Sequence, residues 1–114
     1  MPTRYHISLP DAATARGSDP ALAFTAHGAD ELARELQQAI ATTHLFDRWR
    51  ATQADPDGVD PAWAATDPAA TVQGSQRDLH VELILVTSLA GDIVRQRLRL
   101  LAGGGWQLRD VSAA

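Results

Sequence analysis

The sequence predicts an α+β domain. It is expected to form a two-layer sandwich with one long helix, about residues 29–50, packed on a mostly antiparallel sheet of four to five strands that ends in a C-terminal β-meander. Three observations predict it. Arg4–Leu9 alternates polar and apolar side chains, apolar residues recur at three- and four-residue intervals from Leu32 to Phe46, and the last third holds strand-like runs at Leu79–Thr87, Ile93–Leu101 and Trp106–Val111.

Taken in order, Tyr5, Ile7 and Leu9 set against Arg4, His6 and Ser8 describe a half-buried strand that Pro10-Asp11 closes. Small and turn-forming residues follow through Asp19-Pro20, and the alternation of Leu22, Phe24 and Ala26 predicts a short second strand. Gly28 can open the helix as N-cap, with Asp30 and Glu31 in the first turn, where the helix dipole favours negative charge. Leu32, Leu36, Ala39, Ile40, Thr43 and Phe46 form its apolar stripe, and Thr42-Thr43-His44 is the place for a kink or a fresh start. Residues 51–75 break the pattern. Asp-Pro pairs at 19–20, 55–56, 60–61 and 67–68 each combine a good N-cap with a good first helical residue, so each can open a single turn. In the last third, a tight turn at Leu89-Ala90-Gly91-Asp92 would set Val86 opposite Arg95, Ile84 opposite Arg97 and Glu82 opposite Arg99, with Gly103-Gly104-Gly105 turning into the final strand.

At 114 residues, the chain has the length of a single domain, 1–114, with the irregular 51–75 segment inside it. With 45% apolar and 21% charged residues it belongs with globular rather than disordered chains. It has no cysteine, which excludes disulfides and thiolate chemistry. Every basic side chain is arginine, with lysine and asparagine absent and alanine abundant, which fits a GC-rich bacterial genome and excludes any lysine-dependent mechanism. Without an apolar leader or a run of spanning length, the chain is expected in the cytoplasm. The net charge of −4 is carried by the first two thirds, which argues against bulk attraction to nucleic acid or to an anionic membrane.

Nothing in the sequence carries a catalytic signature, and no enzyme activity, cofactor or metal is expected. The serines lack a nucleophile-elbow context, and the triple glycine precedes a strand rather than a phosphate-binding helix. His6 and His80 could approach Glu82 if their strands were neighbours, but scattered histidines are the better reading. The candidate site is a surface. Arg95, Arg97 and Arg99, with Arg109, would share a sheet face with Ile84, Val86, Ile93, Leu101 and Val111, and so many aliphatics on one face call for a cover. Either the 51–75 segment folds back with Trp63 as anchor, or another chain lies there; Trp49 and Trp63 could equally pack on each other. The expected function is therefore a small protein-interaction module, an adaptor, inhibitor or immunity-type partner or a homodimer. The alternative is a nucleic-acid or anionic-ligand binder using the same arginines, against which the lack of interleaved aromatic rings counts.

Overall fold

Alternation is what builds the sheet. A computed structural model describes residues 2–114. In it, β1 (Thr3–Leu9) buries Tyr5, Ile7 and Leu9, and β3 (His80–Thr87) buries Val81, Leu83, Leu85 and Thr87. These strands lie side by side and antiparallel, Ile7 opposite Leu83, at the centre of a four-stranded sheet ordered β2-β3-β1-β4. The edges are β2 (Thr71–Arg77), antiparallel to β3, and β4 (Gln107–Ala113), antiparallel to β1. Three helices complete the regular structure: α1 (Ala29–Ala41), α2 (His44–Ala51) and α3 (Gly91–Ala102). The order β1-α1-β2 with β3 inserted between its strands, then β3-α3-β4 with β1 inserted, is two interleaved split β-α-β units, the ferredoxin-like arrangement. No helix is long and apolar enough to cross a membrane among the described residues.

The buried side of the sheet shares one core with Leu32, Leu36 and Ile40 of α1 and with Val94, Leu98 and Leu101 of α3. That arrangement corrects the expected meander. Residues 93–101 are helical because Ile93, Val94, Arg97, Leu98, Leu101 and Ala102 bury at helical spacing, and the same composition had passed for strand alternation. The pairings of Val86, Ile84 and Glu82 with Arg95, Arg97 and Arg99 therefore do not exist; their partners are Arg4, His6 and Ser8 on one side and Thr71, Gln73 and Ser75 on the other. Ile93 and Leu101 are buried in α3. β4 pairs with β1, placing Leu108 opposite Ile7.

Two further expectations are corrected. The long helix is two helices, because Thr42 turns extended at φ −130° and ψ 168° and the chain restarts at His44, at the threonine-rich step where a break was anticipated. Leu22–Ala26 is not a strand; Leu22 and Phe24 instead insert into the core from a loop, leaving four strands and not five. Part of the segment marked irregular is strand β2, whose polar sequence hides it. Asp78, at φ 55°, supplies the left-handed residue of the two-residue turn that joins β2 to β3, and Leu79 stands at its tip, 88% exposed.

The Asp-Pro pairs behave as their chemistry suggests. Asp60 accepts from the Ala62 N–H and Asp67 from the Ala69 N–H, opening short turns; Asp19 does the same for Ala21. Two single 3₁₀ turns, Pro56–Gly58 and Pro61–Ala64, then carry the chain from α2 towards β2. Arg97 holds this passage down. Its guanidinium is fully buried and donates to the carbonyls of Ala39 in α1, Trp63 and Ala65, the last two at 2.8 Å each. Asp67 closes the same passage from its other end. Its backbone N–H donates to the Ile40 carbonyl, and its carboxylate accepts from the Ser88 N–H at 3.0 Å and the Thr87 hydroxyl at 2.8 Å.

Removing Arg97 leaves three carbonyls without their donor and a void among packed side chains. Arg97→Ala is expected to destabilise the fold by about 3 kcal/mol or more in urea unfolding, while exposed Arg95→Ala stays within about 0.5 kcal/mol.

The donors from Ser88 and Thr87 hold the Asp67 carboxyl below its usual value against a smaller opposing effect of burial. Because the folded-state pKa is the lower one, the unfolded chain binds more protons at acid pH. Asp67's contribution is thus complete above the unfolded value of about 3.9 and is lost as pH falls through the folded one. The urea midpoint should fall less between neutral and acid pH in Asp67→Asn than in the parent chain.

Candidate functional site

Each central strand has a second side that neither the helices nor the long loops cover. The pairing registers place its side chains in rows. Thr71, Val86, Arg4 and Ser112 form the first, Gln73, Ile84, His6 and Asp110 the second, and Ser75, Glu82, Ser8 and Gln107 the third, with Arg77 and His80 beyond. Every connection that could fold over this face is tied to the helical side instead. The loop before α1 hydrogen-bonds Gly17 and Phe24 to the Leu101 carbonyl, and the passage after α2 is bound by Arg97 and Asp67.

At the middle of the face is a three-membered ionic group. His6 Nε2 lies 2.8 Å from Glu82 Oε1, and Arg77 Nε lies 3.1 Å from Glu82 Oε2. An ionised carboxylate can only accept, so the imidazole nitrogen is the donor. This hydrogen bond is the main reason that the Glu82 pKa lies below its usual value; the nearby charges of His6, Arg77 and His80 act in the same direction, and partial desolvation opposes them. Above this group Ile84 and Val86 are half-buried between polar neighbours. The face carries Arg4 and Arg77 against Glu82 and Asp110, so its formal charges balance although the chain as a whole is at −4.

Chemically, a histidine oriented by a glutamate can move a proton, but catalysis also needs a reacting group and a place for substrate. Of the two serines in register with Glu82, Ser8 is 1% exposed, and Ser75 is exposed on the edge strand. Among the described residues, no group of three or more His, Asp or Glu could hold a metal ion, so His6 and His80 do not join Glu82 as ligands. A groove of about 590 Å³ lies elsewhere, between α1, α2 and the loop around Leu22, with Gln38, His44 and Arg48 on its walls. Of its two carboxylates, Glu35 accepts from the N–H groups of Thr25 and Ala26, and Asp47 from the Thr43 hydroxyl.

The structure separates the residues that the sequence grouped together. Ile84 and Val86 lie on the uncovered face as expected. Arg95 and Arg99 are exposed one turn apart on α3, behind the sheet, and Arg97 points inward between them. Trp63 is half-buried in its 3₁₀ turn, where its carbonyl serves Arg97, and Trp49 stacks at a tilt on Phe46, with centroids 5.9 Å apart. Arg109 is the extra residue of a β-bulge in β4, skipped between Leu108 and Asp110. Arg4, Gln73 and Arg77 were missed as members of the face. Their signal was the strand pairing itself, which one sequence does not reveal. Val111, set in register with Tyr5 on the opposite side, is 47% exposed at the sheet margin.

Comparison with protein-family models, with curated proteins and with solved structures finds no match to this chain.

A direct measurement checks the ionic group. In a carboxyl-carbon NMR titration, Glu82 should titrate below a model-peptide glutamate, and His6→Phe should move its midpoint upward by removing the principal donor.

Proposed function

We propose that this chain is a non-catalytic protein-interaction module. In this reading the fold is a two-layer sandwich with helices backing one side of the sheet, and the other side is a contact surface for a second protein. One observation carries it: Ile84 and Val86 sit half-buried at the centre of a sheet face that no other segment covers among the described residues. Completing their burial would contribute about 1 kcal/mol each, and the surrounding hydroxyls, amides and balanced charges supply the polar rim of an ordinary interface. The partner that suits such a face is flat and mixed in charge, since a strongly charged surface would meet no net complement.

Binding of nucleic acid through this sheet is disfavoured by the same inventory. Four-stranded RNA-binding sheets stack bases on aromatic side chains, and the only rings here are His6 and His80. Tyr5 faces the core. Arg95 and Arg99 are on the other side of the molecule, and Glu82 and Asp110 would repel phosphate.

The absence of cysteine makes the test clean, because a single introduced thiol is unique. A photo-crosslinker attached at Asp110→Cys, on the face, should yield a discrete adduct in cell extract, and one at Arg95→Cys on α3 should not. Adding Val86→Asp, with folding verified by circular dichroism, should abolish the adduct. Equal adducts at both positions, or indifference to Val86→Asp, would discard the reading.

A further inference from the structure

The two edges of the sheet are not equivalent. β4 is broken by its bulge at Arg109 and carries adjacent charges, devices that discourage further strand pairing. β2 has neither. It runs seven residues in unbroken register with β3, contains no proline, and its only charge is Arg77 at the end. Its outer backbone groups can be identified. The Val72 N–H donates to Gln37 Oε1 at 3.1 Å, on the helix, so Val72 faces away from β3, and alternation sends Gly74 and Gln76 the same way.

Along this edge runs a groove of about 460 Å³, walled by Asp30, Arg34 and Gln37 of α1 and floored by Val72 and Gly74. Gly74 fixes the spacing of the two walls. A Cβ there would strike the Ala29 carbonyl, so α1 sits directly on the outermost strand, pressed against it through Ala29 and Ala33. The result is a helix flank standing over a free strand edge, with the Gln37 amide occupying one main-chain donor.

We infer that this groove accepts an extended peptide segment of a partner protein, which joins the sheet as a fifth strand beside β2 and places an acidic side chain against Arg34. Backbone pairing with Gly74, Gln76 and the Val72 carbonyl gives the affinity, the Val72 N–H being held by Gln37, and the α1 flank gives the choice of side chain. Arg34 is exposed and has no ion pair among the described residues. Asp30, one turn away, disfavours an acid at the other end and so fixes where along the groove the acid sits. A second copy of the chain, pairing β2 with β2, is the competing occupant, and the test below separates the two. This site is independent of the uncovered sheet face, and either can fail without the other.

The experiment pans a displayed library of random seven-residue peptides against the intact protein and maps the recovered peptides by amide NMR. Enrichment of acid-containing peptides that shift the Val72, Gly74 and Gln76 amides is the expected result. N-methylation of alternate peptide nitrogens should abolish binding, and Arg34→Glu, a surface change that leaves the core untouched, should weaken it by roughly tenfold and turn selection towards basic peptides. The inference is overturned if the library yields no binder, if recovered peptides shift β4 or the sheet face instead, if N-methylation changes nothing, or if light scattering finds dimers protected at β2.

Discussion

The buried guanidinium of Arg97 is the interaction on which the arrangement depends. It has no carboxylate within ion-pairing distance among the described residues, and burial pulls its pKa below the usual arginine value without a neighbouring charge to oppose the shift. Such a cation is costly to bury, and what offsets the cost is a set of carbonyl dipoles. One acceptor, Ala39, lies in the last turn of α1, where the helix dipole presents its negative end. The other two belong to the 3₁₀ turn at Pro61–Ala64 and its exit. A single side chain thus ties α3 to α1 and ties both to the passage leading into β2. A lysine could not span this set, since its point charge lacks the planar fork that reaches three acceptors at once.

This tether explains why the sheet has an open side. The chain between α2 and β2 is long enough to lie anywhere on the domain, and its single turns have little stability of their own. Arg97 from one direction and Asp67 from the other commit it to the helical side, where it closes the end of the core between α1 and β3. The loop before α1 is committed to that side too, through Leu22, Phe24 and the Glu35 carboxylate. With both irregular segments occupied, neither of them covers Ile84 and Val86. The open face is therefore a consequence of where the polar anchors lie, not of a shortage of chain.

How much of this was legible in the sequence depended on whether local pattern and tertiary context agreed. Tyr5, Ile7 and Leu9, the stripe Leu32-Leu36-Ile40, the alternation of β3 and the Asp-Pro turns were all legible, because burial and local preference point the same way there. α3 was not. Ile93, Val94, Arg95, Arg97 and Arg99 satisfy strand alternation and helical spacing together, and only the pairing of β3 with β1 shows that its neighbouring place in the sheet is already filled. β2 failed for the opposite reason: Thr71–Arg77 offers one aliphatic and a glycine, and its strand character comes from β3 beside it and α1 above it. Of the expected site, Ile84 and Val86 were placed correctly because they belong to a well-patterned strand. The arginines were misplaced with the helix that carries them.

The same contrast bears on why the two exposed surfaces differ in kind. On the uncovered face the backbone is satisfied by neighbouring strands on both sides of β1 and β3, so only side chains remain to interact, and these are short, polar and charge-balanced around two aliphatics. At the β2 edge the reverse holds. Gly74 has no side chain and Ser75 a short one, while the main chain, apart from the Val72 N–H engaged by Gln37, still has donors and acceptors to give. A surface of the first kind discriminates by shape and residue identity, and one of the second kind accepts many sequences and needs a helix flank to choose among them. α1 supplies that flank because Gly74 lets it ride on the outermost strand. Had the glycine been any larger residue, α1 would have been pushed off the edge, and the groove would have lost its helical wall.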